Sequence, residues 1–268
     1  MDPRKDHDAL LKVLRSAFQL EGDLQLIYGD QDRNYKLRTS DSTYLVKVSS
    51  KSKHQQQLQA IDPLLEQLHN QELQVSIPKI RITSAGERFA VIGIKGDTSY
   101  VRVYDWIEGR LWADVQPKTS TLRRRLGQEA GRLQSAIRKY SAPPKEQQLR
   151  WDLAQSTWTE AHAYDFEPQR AEWVRYFQDL FREAQPLYQG LKKCWIHNDL
   201  NDYNILLTQD AIDPGIAGFI DFGDCCFTHR VNELAILLTY AIMEAPEPLG
   251  AAVEVIEGYH AYCPLEEK

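Results

Sequence analysis

The segment His197-Asn198-Asp199-Leu200-Asn201-Asp202-Tyr203-Asn204, followed by Ile220-Asp221-Phe222-Gly223-Asp224, carries the residue types that phosphoryl transfer needs. One carboxylate can accept the proton of an attacking hydroxyl. An amide oxygen and a second carboxylate can hold magnesium against the phosphates of a nucleotide. Magnesium is small and hard, so its ligands must be oxygens, and the base must sit near the ion without being consumed by it. Asp199 is the candidate base, and Asn204 and Asp221 are the candidate metal ligands. Each alone would read as a turn residue, because Asn and Asp favour turns. Together, at this spacing, they favour catalysis. His197 titrates near neutral pH when unperturbed, but its expected role is a packed, hydrogen-bonded scaffold for the loop. Asp224 could be a second metal ligand, a contact to a cationic substrate, or simply a turn carboxylate after Gly223. Asp202 is a further candidate for the substrate.

Such a loop must be held by buried flanks, and Trp195-Ile196 before it and Ile205-Leu206-Leu207 after it are apolar. Upstream, Leu10, Leu11, Val13, Leu14 and Phe18 have helical spacing. The period then changes: 24–28, 34–38 and 44–48 read as strands separated by the turns Gly29–Arg33 and Thr39–Ser42. A helix is expected from about Gln55 to His69, then strands over 77–81, 88–94 and 100–105, the last two joined by 95–98. Lys47 lies mid-strand among apolar neighbours, where a lysine can reach α- and β-phosphates as a point charge or simply face solvent. A carboxylate on the following helix should pair with it. Asp62 and Glu66 both qualify, although Pro63 interrupts that segment. The stretch from Tyr28 to Tyr35 stands where a phosphate-covering loop would be. It has one glycine, so Asp32 and Asn34 side chains are expected to substitute for backbone cradling. Tyr104 and Trp106, in the connector 103–107, could line a purine site or belong to the core.

From Thr121 the pattern turns helical, with Leu122, Leu126, Ala130, Leu133 and Ile137 on one stripe and a stop at Pro143-Pro144. Further helices are expected over 172–188, 232–243 and 249–262, the 232–243 piece apolar nearly all round and therefore central. A sheet-rich half followed by a helical half makes an α+β, bilobal architecture. The expected division is a nucleotide-binding lobe over 1–103, a hinge over 104–110 and a helical catalytic and substrate lobe over 111–268. The net charge of -6 argues against a nucleic-acid partner. Cys194, Cys225, Cys226 and Cys263 lack a paired CxxC spacing, so reduced thiols in the cytoplasm are expected. The charged start Met1–Asp6 lacks the apolar core of a signal peptide, and no run is apolar enough to span a membrane.

The catalytic segment, 220–224, and Val231-Asn-Glu-Leu-Ala-Ile236 together resemble the aminoglycoside phosphotransferase/choline kinase-like superfamily, and within it the hydroxylysine kinase group. Asp30–Tyr35, Tyr44–Val48, Trp151-Asp152-Leu153 and Glu257-Gly258-Tyr259-His260 extend the resemblance over most of the chain. It implies a protein-kinase-like fold with Asp199 as base, Asn204 and Asp221 on Mg2+, Lys47 on phosphate, and ATP or GTP as co-substrate. The expected activity is phosphorylation of a hydroxyl on a small amino-bearing metabolite, 5-hydroxylysine first, with homoserine, choline, ethanolamine and aminoglycosides as alternatives. A nucleotide-binding module without turnover is the competing class. Two departures stand out: Pro63 near the expected lysine partner, and an end at Lys268 where relatives carry further helices, some relatives being fused to an aminotransferase.

Overall fold

The computed structural model describes residues 3–27, 29, 32–51, 60–94, 97–142 and 149–266. The expected start of the helix at Gln55, the turn residues Tyr28, Asp30, Gln31, Lys95 and Gly96, and the Pro143-Pro144 stop lie outside them. The chain divides into two compact units: Met1–Glu72 with Ser76–Gly109, and Leu73–Val75 with Arg110–Lys268.

The first unit is an antiparallel five-stranded sheet in the order β1-β2-β3-β5-β4. Its strands are β1 (Asp23–Ile27), β2 (Arg33–Arg38), β3 (Thr43–Ser49), β4 (Ala90–Ile94) and β5 (Asp97–Asp105). Alternation sorts the two faces. Tyr35, Leu37, Tyr44, Val46, Val48, Val101 and Val103 pack with Leu10, Leu14 and Phe18 of α1 (Pro3–Phe18) in one apolar core. The other face is polar, because Asn34 pairs with Lys47 and Lys47 with Arg102 in register. α2 (Asp62–His69) carries Pro63 in its first turn. Proline lacks only an N–H that is unbonded there anyway, so Pro63 opens this helix where an interruption was expected. The strand expected over 77–81 is not formed. Only Ile80 bridges to Tyr104, although Arg81 N–H bonds the Val103 carbonyl at 2.8 Å. The Lys79 carbonyl accepts from Asp105 N–H at 2.9 Å as well, so the contact with β5 is confined to one bridge between these two bonds.

The second unit holds a three-stranded sheet, β6-β8-β9, and a two-stranded one, β7-β10. Its strands are β6 (Arg110–Leu111), β7 (Lys193–Ile196), β8 (Ile205–Leu207), β9 (Ile216–Phe219) and β10 (Cys226–His229). Its helices are α3 (Ser120–Ile137), α4 (Pro168–Tyr188), α5 (Val231–Ala241) and α6 (Pro248–Tyr262). Thr119 caps α3, its hydroxyl accepting from Leu122 N–H at 3.2 Å, and the expected stripe from Leu122 to Ile137 is buried. The 3-10 stretch Leu153–Asp165, capped by Asp152, was not foreseen. α5 departs from the all-round apolar helix expected: Ala235 and Thr239 face solvent, while Asn232 and Glu233 are buried. α4 is more exposed still, with Ala171 its one buried residue. No described helix is long and apolar enough to cross a membrane.

α3 and α6 cross where neither can carry a side chain. A Cβ at Gly258 would overlap the Arg124 carbonyl oxygen, and one at Gly127 would overlap that of Val255. Gly258→Ala should therefore destabilise the protein by about 1–3 kcal/mol in urea unfolding, the usual penalty of overpacking. Gly250→Ala, on the same helix but with only an ordinary contact to Glu247, should leave stability unchanged or slightly raised.

Candidate active site

The loop between β7 and β8 is organised by His197. Its ring is fully buried and sits edge-on to Phe222 at 4.5 Å between centroids. Asp199 N–H donates to Nδ1 at 3.2 Å, so Nδ1 is an acceptor and the proton belongs on Nε2, which donates to the Ile220 carbonyl at 3.0 Å. Burial pushes the imidazole down to about 4, with Asp221 and the Ile220 carbonyl only partly opposing. The neutral tautomer that the two bonds demand is thus the one the environment favours. The scaffold role expected of His197 is the role its contacts fit.

Asp199 is the half-buried end of a short network. Its Oδ1 accepts from Asn201 Nδ2 at 2.8 Å and its Oδ2 from Asn204 Nδ2 at 2.7 Å. The same Asn204 nitrogen also bonds the Asp199 carbonyl at 2.8 Å. Burial is the largest influence pushing the Asp199 carboxyl up to about 6; Asp224 and Asp221 act in the same direction and the two amides oppose it. Just before β8, the Asn204 carbonyl accepts from the N–H of Ile220, the residue after β9 and next to Asp221, at 3.0 Å. The β8–β9 hairpin, with Ile205 facing Phe219, produces this apposition. Asp221 adopts a left-handed backbone, φ 60°, and its carboxylate caps the one-turn helix Phe222–Asp224 through Gly223 N–H at 3.3 Å. The structure therefore brings Asp199, Asn204, Asp221 and Asp224 together. Asp202 lies on the same loop, its carbonyl accepting from Ala113 N–H at 3.1 Å and its charge felt by Lys118 and Tyr240.

The oxygens fit a hard cation. With Asn204 Nδ2 committed to Asp199, its Oδ1 is left on the other side of the amide, and Asp221 adds a carboxylate. Among the described residues no cluster of three or more His, Cys, Asp or Glu side chains could hold a metal ion. The remaining ligands of such a cation would be phosphate oxygens and water.

Lys47, Asp32, Asn34, Tyr104 and Trp106 belong to the first unit. Lys47 and Tyr104 are buried, on β3 and β5. Asn34 packs against the turn glycine: a Cβ at Gly29 would come within 2.6 Å of Asn34 Nδ2 and 2.5 Å of the Asp32 carbonyl. The Trp106 ring lies under Lys36 Nζ, 3.9 Å from its centroid, and the Trp106 backbone N–H donates to the Thr43 carbonyl at 3.2 Å. The two carboxylates considered for Lys47 are bonded to arginines: Asp62 to Arg102 at 3.4 Å and Glu66 to Arg88 at 2.6 Å.

Sequence reasoning missed Glu233 and gave Asp152 no role. Asp152 Oδ1 accepts from Thr228 Oγ1 at 2.9 Å and caps the 3-10 stretch. Glu233 is buried on α5, and its Oε2 accepts from the N–H of Asn198 at 3.1 Å. Asn198 is itself left-handed, φ 68°, so the carboxylate stabilises the strained residue just before Asp199. The signal available was an acidic residue inside an otherwise apolar helix pattern. Burial pushes the Glu233 carboxyl up to about 7, well above its ordinary range. The folded state then binds more protons than the unfolded chain between about pH 4.3 and 7, so stability falls as pH rises through that window. Glu233→Gln keeps an acceptor for Asn198 and removes the titration. In thermal unfolding at pH 5 and pH 8, the variant should gain on the parent by a few kcal/mol at the higher pH. An unchanging gap would show that Glu233 does not titrate in the fold.

The chain is similar to the hydroxylysine kinase of Mus musculus, 28% identical over 182 residues covering 63% of this chain and 48% of that one. It is also similar to that of Bos taurus, 27% identical over 176 residues covering 62% and 46%. The chain thus spans less than half the length of these curated relatives. Among solved structures it superposes on a microcompartment-associated aminopropanol kinase with a TM-score of 0.73 and 18% identity, over 97% of this chain and 82% of that one. An amicoumacin kinase in complex with AMP-PNP, Ca2+ and Ami gives 0.70 and 18%, over 97% and 79%. These likenesses bear out the α+β, kinase-like fold. Because the profile of the phosphotransferase enzyme family, APH, matches residues 23–266, nearly the whole chain, this protein belongs to that family.

Proposed function

We propose that the chain transfers the γ-phosphoryl group of ATP or GTP to a hydroxyl of a small amino-bearing metabolite, 5-hydroxylysine being the first candidate. The observation that carries this reading is the Asn204 amide bonded to the Asp199 carboxylate at 2.7 Å, with Asp221 two residues past the end of the facing strand β9. The names of the curated relatives support the acceptor, and the AMP-PNP complex of a structural neighbour supports the nucleotide. The first unit is read as the nucleotide-binding part, with Lys47 against phosphate, Asp32 and Asn34 in the covering turn, and Tyr104 and Trp106 beside the purine. The second unit is read as the catalytic and substrate part, with Asp202 and Asp224 available to a substrate ammonium. The cytoplasm is the expected compartment, and the four described cysteines are free thiols there.

Asp199 takes the proton of the acceptor hydroxyl on a carboxylate oxygen as the hydroxyl oxygen bonds to the γ-phosphorus and the bond to the β-phosphate oxygen breaks. Asn201 and Asn204 fix the rotamer of that carboxylate and limit the rise in its proton affinity. Asn204 Oδ1 and Asp221 would hold magnesium, which when bound neutralises phosphate charge. Positioning and electrostatics supply most of the acceleration in such a site.

Asp199→Asn should lower turnover by about 10²–10⁴-fold, the contribution of a general base, while nucleotide still binds. Undiminished turnover in that variant would refute the assignment. The acceptor is tested by a radiolabel-transfer screen of 5-hydroxylysine, homoserine, choline, ethanolamine and aminoglycosides against ATP and GTP. Labelling of 5-hydroxylysine above the others is expected, and labelling of another acceptor in its place would overturn that choice.

A further inference from the structure

The segment from Trp112 to Lys118 runs beside the candidate catalytic loop of the second unit. It is tied there where Ala113 N–H donates to the Asp202 carbonyl at 3.1 Å. Trp112 is fully buried and anchors the segment. At the other end the Arg123 guanidinium donates to the Lys118 carbonyl, and Lys118 Nζ stands over the Trp112 ring, 5.6 Å from its centroid. The lysine is thus folded back toward the residues that meet the loop.

α5 approaches the same loop. Glu233 takes the Asn198 N–H at 3.1 Å, and Tyr240, two turns on, lies within about 20° of Glu233 around the helix. Tyr240 accordingly feels the charges of both Asp199 and Asp202. Glu244, just past the end of α5, is exposed and left-handed, φ 63°.

Three charges therefore gather on this side of the loop: the ammonium of Lys118 and the carboxylates of Asp202 and Glu244. Both carboxylates attract the lysine, yet neither forms an ion pair with it, and its ammonium has no hydrogen-bond partner among the described residues. Burial, the largest influence, pushes the lysine down from its ordinary value. A partly desolvated ammonium without a contact ion is unfavourable. Opposite charges that attract and still stand apart leave room between them for the groups of a ligand. 5-Hydroxylysine carries the complementary set, two ammoniums and one carboxylate.

We propose that Lys118 binds a carboxylate of the acceptor while Asp202 and Glu244 take its ammoniums, so that the site selects a hydroxy amino acid over amino alcohols without a carboxylate. This rests on the reading of Asp199 as the base in phosphorylation of a hydroxyl. Ethanolamine, choline and aminoglycosides offer Lys118 no anion.

The test measures kcat/KM of the full chain at saturating nucleotide and magnesium for two matched pairs: 5-hydroxylysine with its decarboxylated diamine, and homoserine with aminopropanol. In the better-used pair the parent should prefer the amino acid by about tenfold or more, the weight of one charge-assisted contact. Lys118→Met keeps an apolar stem over Trp112 and removes the charge, so it should erase that preference, the loss falling on the amino acid. A variant that is merely less well folded would lose both members of a pair in proportion and keep the ratio. A parent that uses the decarboxylated member as well as the amino acid would overturn the proposal and leave phosphotransfer standing. So would a Lys118→Met variant with the parent's ratio. Absence of transfer to every acceptor would refute the reading of Asp199, and the proposal with it. If Lys118→Met does not fold, Lys118→Gln and the parent's own ratio decide.

Discussion

Two hydrogen bonds to one imidazole hold the candidate site together. His197 accepts from the backbone of Asp199 on one side and donates to the backbone of Ile220 on the other. A protonated ring could not accept, so the arrangement exists only while the imidazole is neutral. Burial guarantees this by pushing the ring down to about 4. The apparent pH sensor beside the base is therefore a fixed strut. Its two ends set the backbone of the residue before Asp221 and of Asp199 itself.

Around that strut the surrounding polar groups divide the work. Asn198 turns left-handed, and Glu233 receives the N–H this turn exposes. Asp221 also turns left-handed and closes its own cap on Gly223. A residue at φ near +60° is held there only when its surroundings insist. Deeper in the unit, Asp152 collects Thr228 and the start of the 3-10 stretch, while Tyr188 OH reaches Asn232 at 2.9 Å. α5 thus carries polar anchors, Asn232 and Glu233, on the face that looks most apolar in sequence.

That is also why the sequence disclosed the candidate site residues better than their supports. Asp199, Asn204 and Asp221 are legible because a loop and a short apolar strand on each side of a hairpin give a countable spacing. The sheet strands of the first unit are legible because their apolar residues alternate. β9, with Ala217 and Gly218, and β10, with Cys226 and Thr228, carry no such alternation and form because partners are present. Pro63 looks like an interruption in the sequence, yet in the first turn of a helix a proline lacks only an N–H that has no helical acceptor. Nothing local in the sequence reveals that both α2 carboxylates go to arginines.

The choice of an amide at position 204 follows from the same geometry. A carboxylate there would offer another hard oxygen ligand, and a stronger one. It would also stand 2.7 Å from the oxygen of Asp199, where the amide now donates. Two buried carboxylates at that distance cannot both ionise, and one would retain a proton near neutrality. Asp199 is already pushed up to about 6 by burial and by the charges of Asp224 and Asp221. A further anion would drive the candidate base out of its working form. Asparagine avoids this by splitting its functions: the nitrogen steadies the base, and the oxygen remains for a cation. The loop can therefore hold a proton acceptor and a metal ligand side by side without one disabling the other.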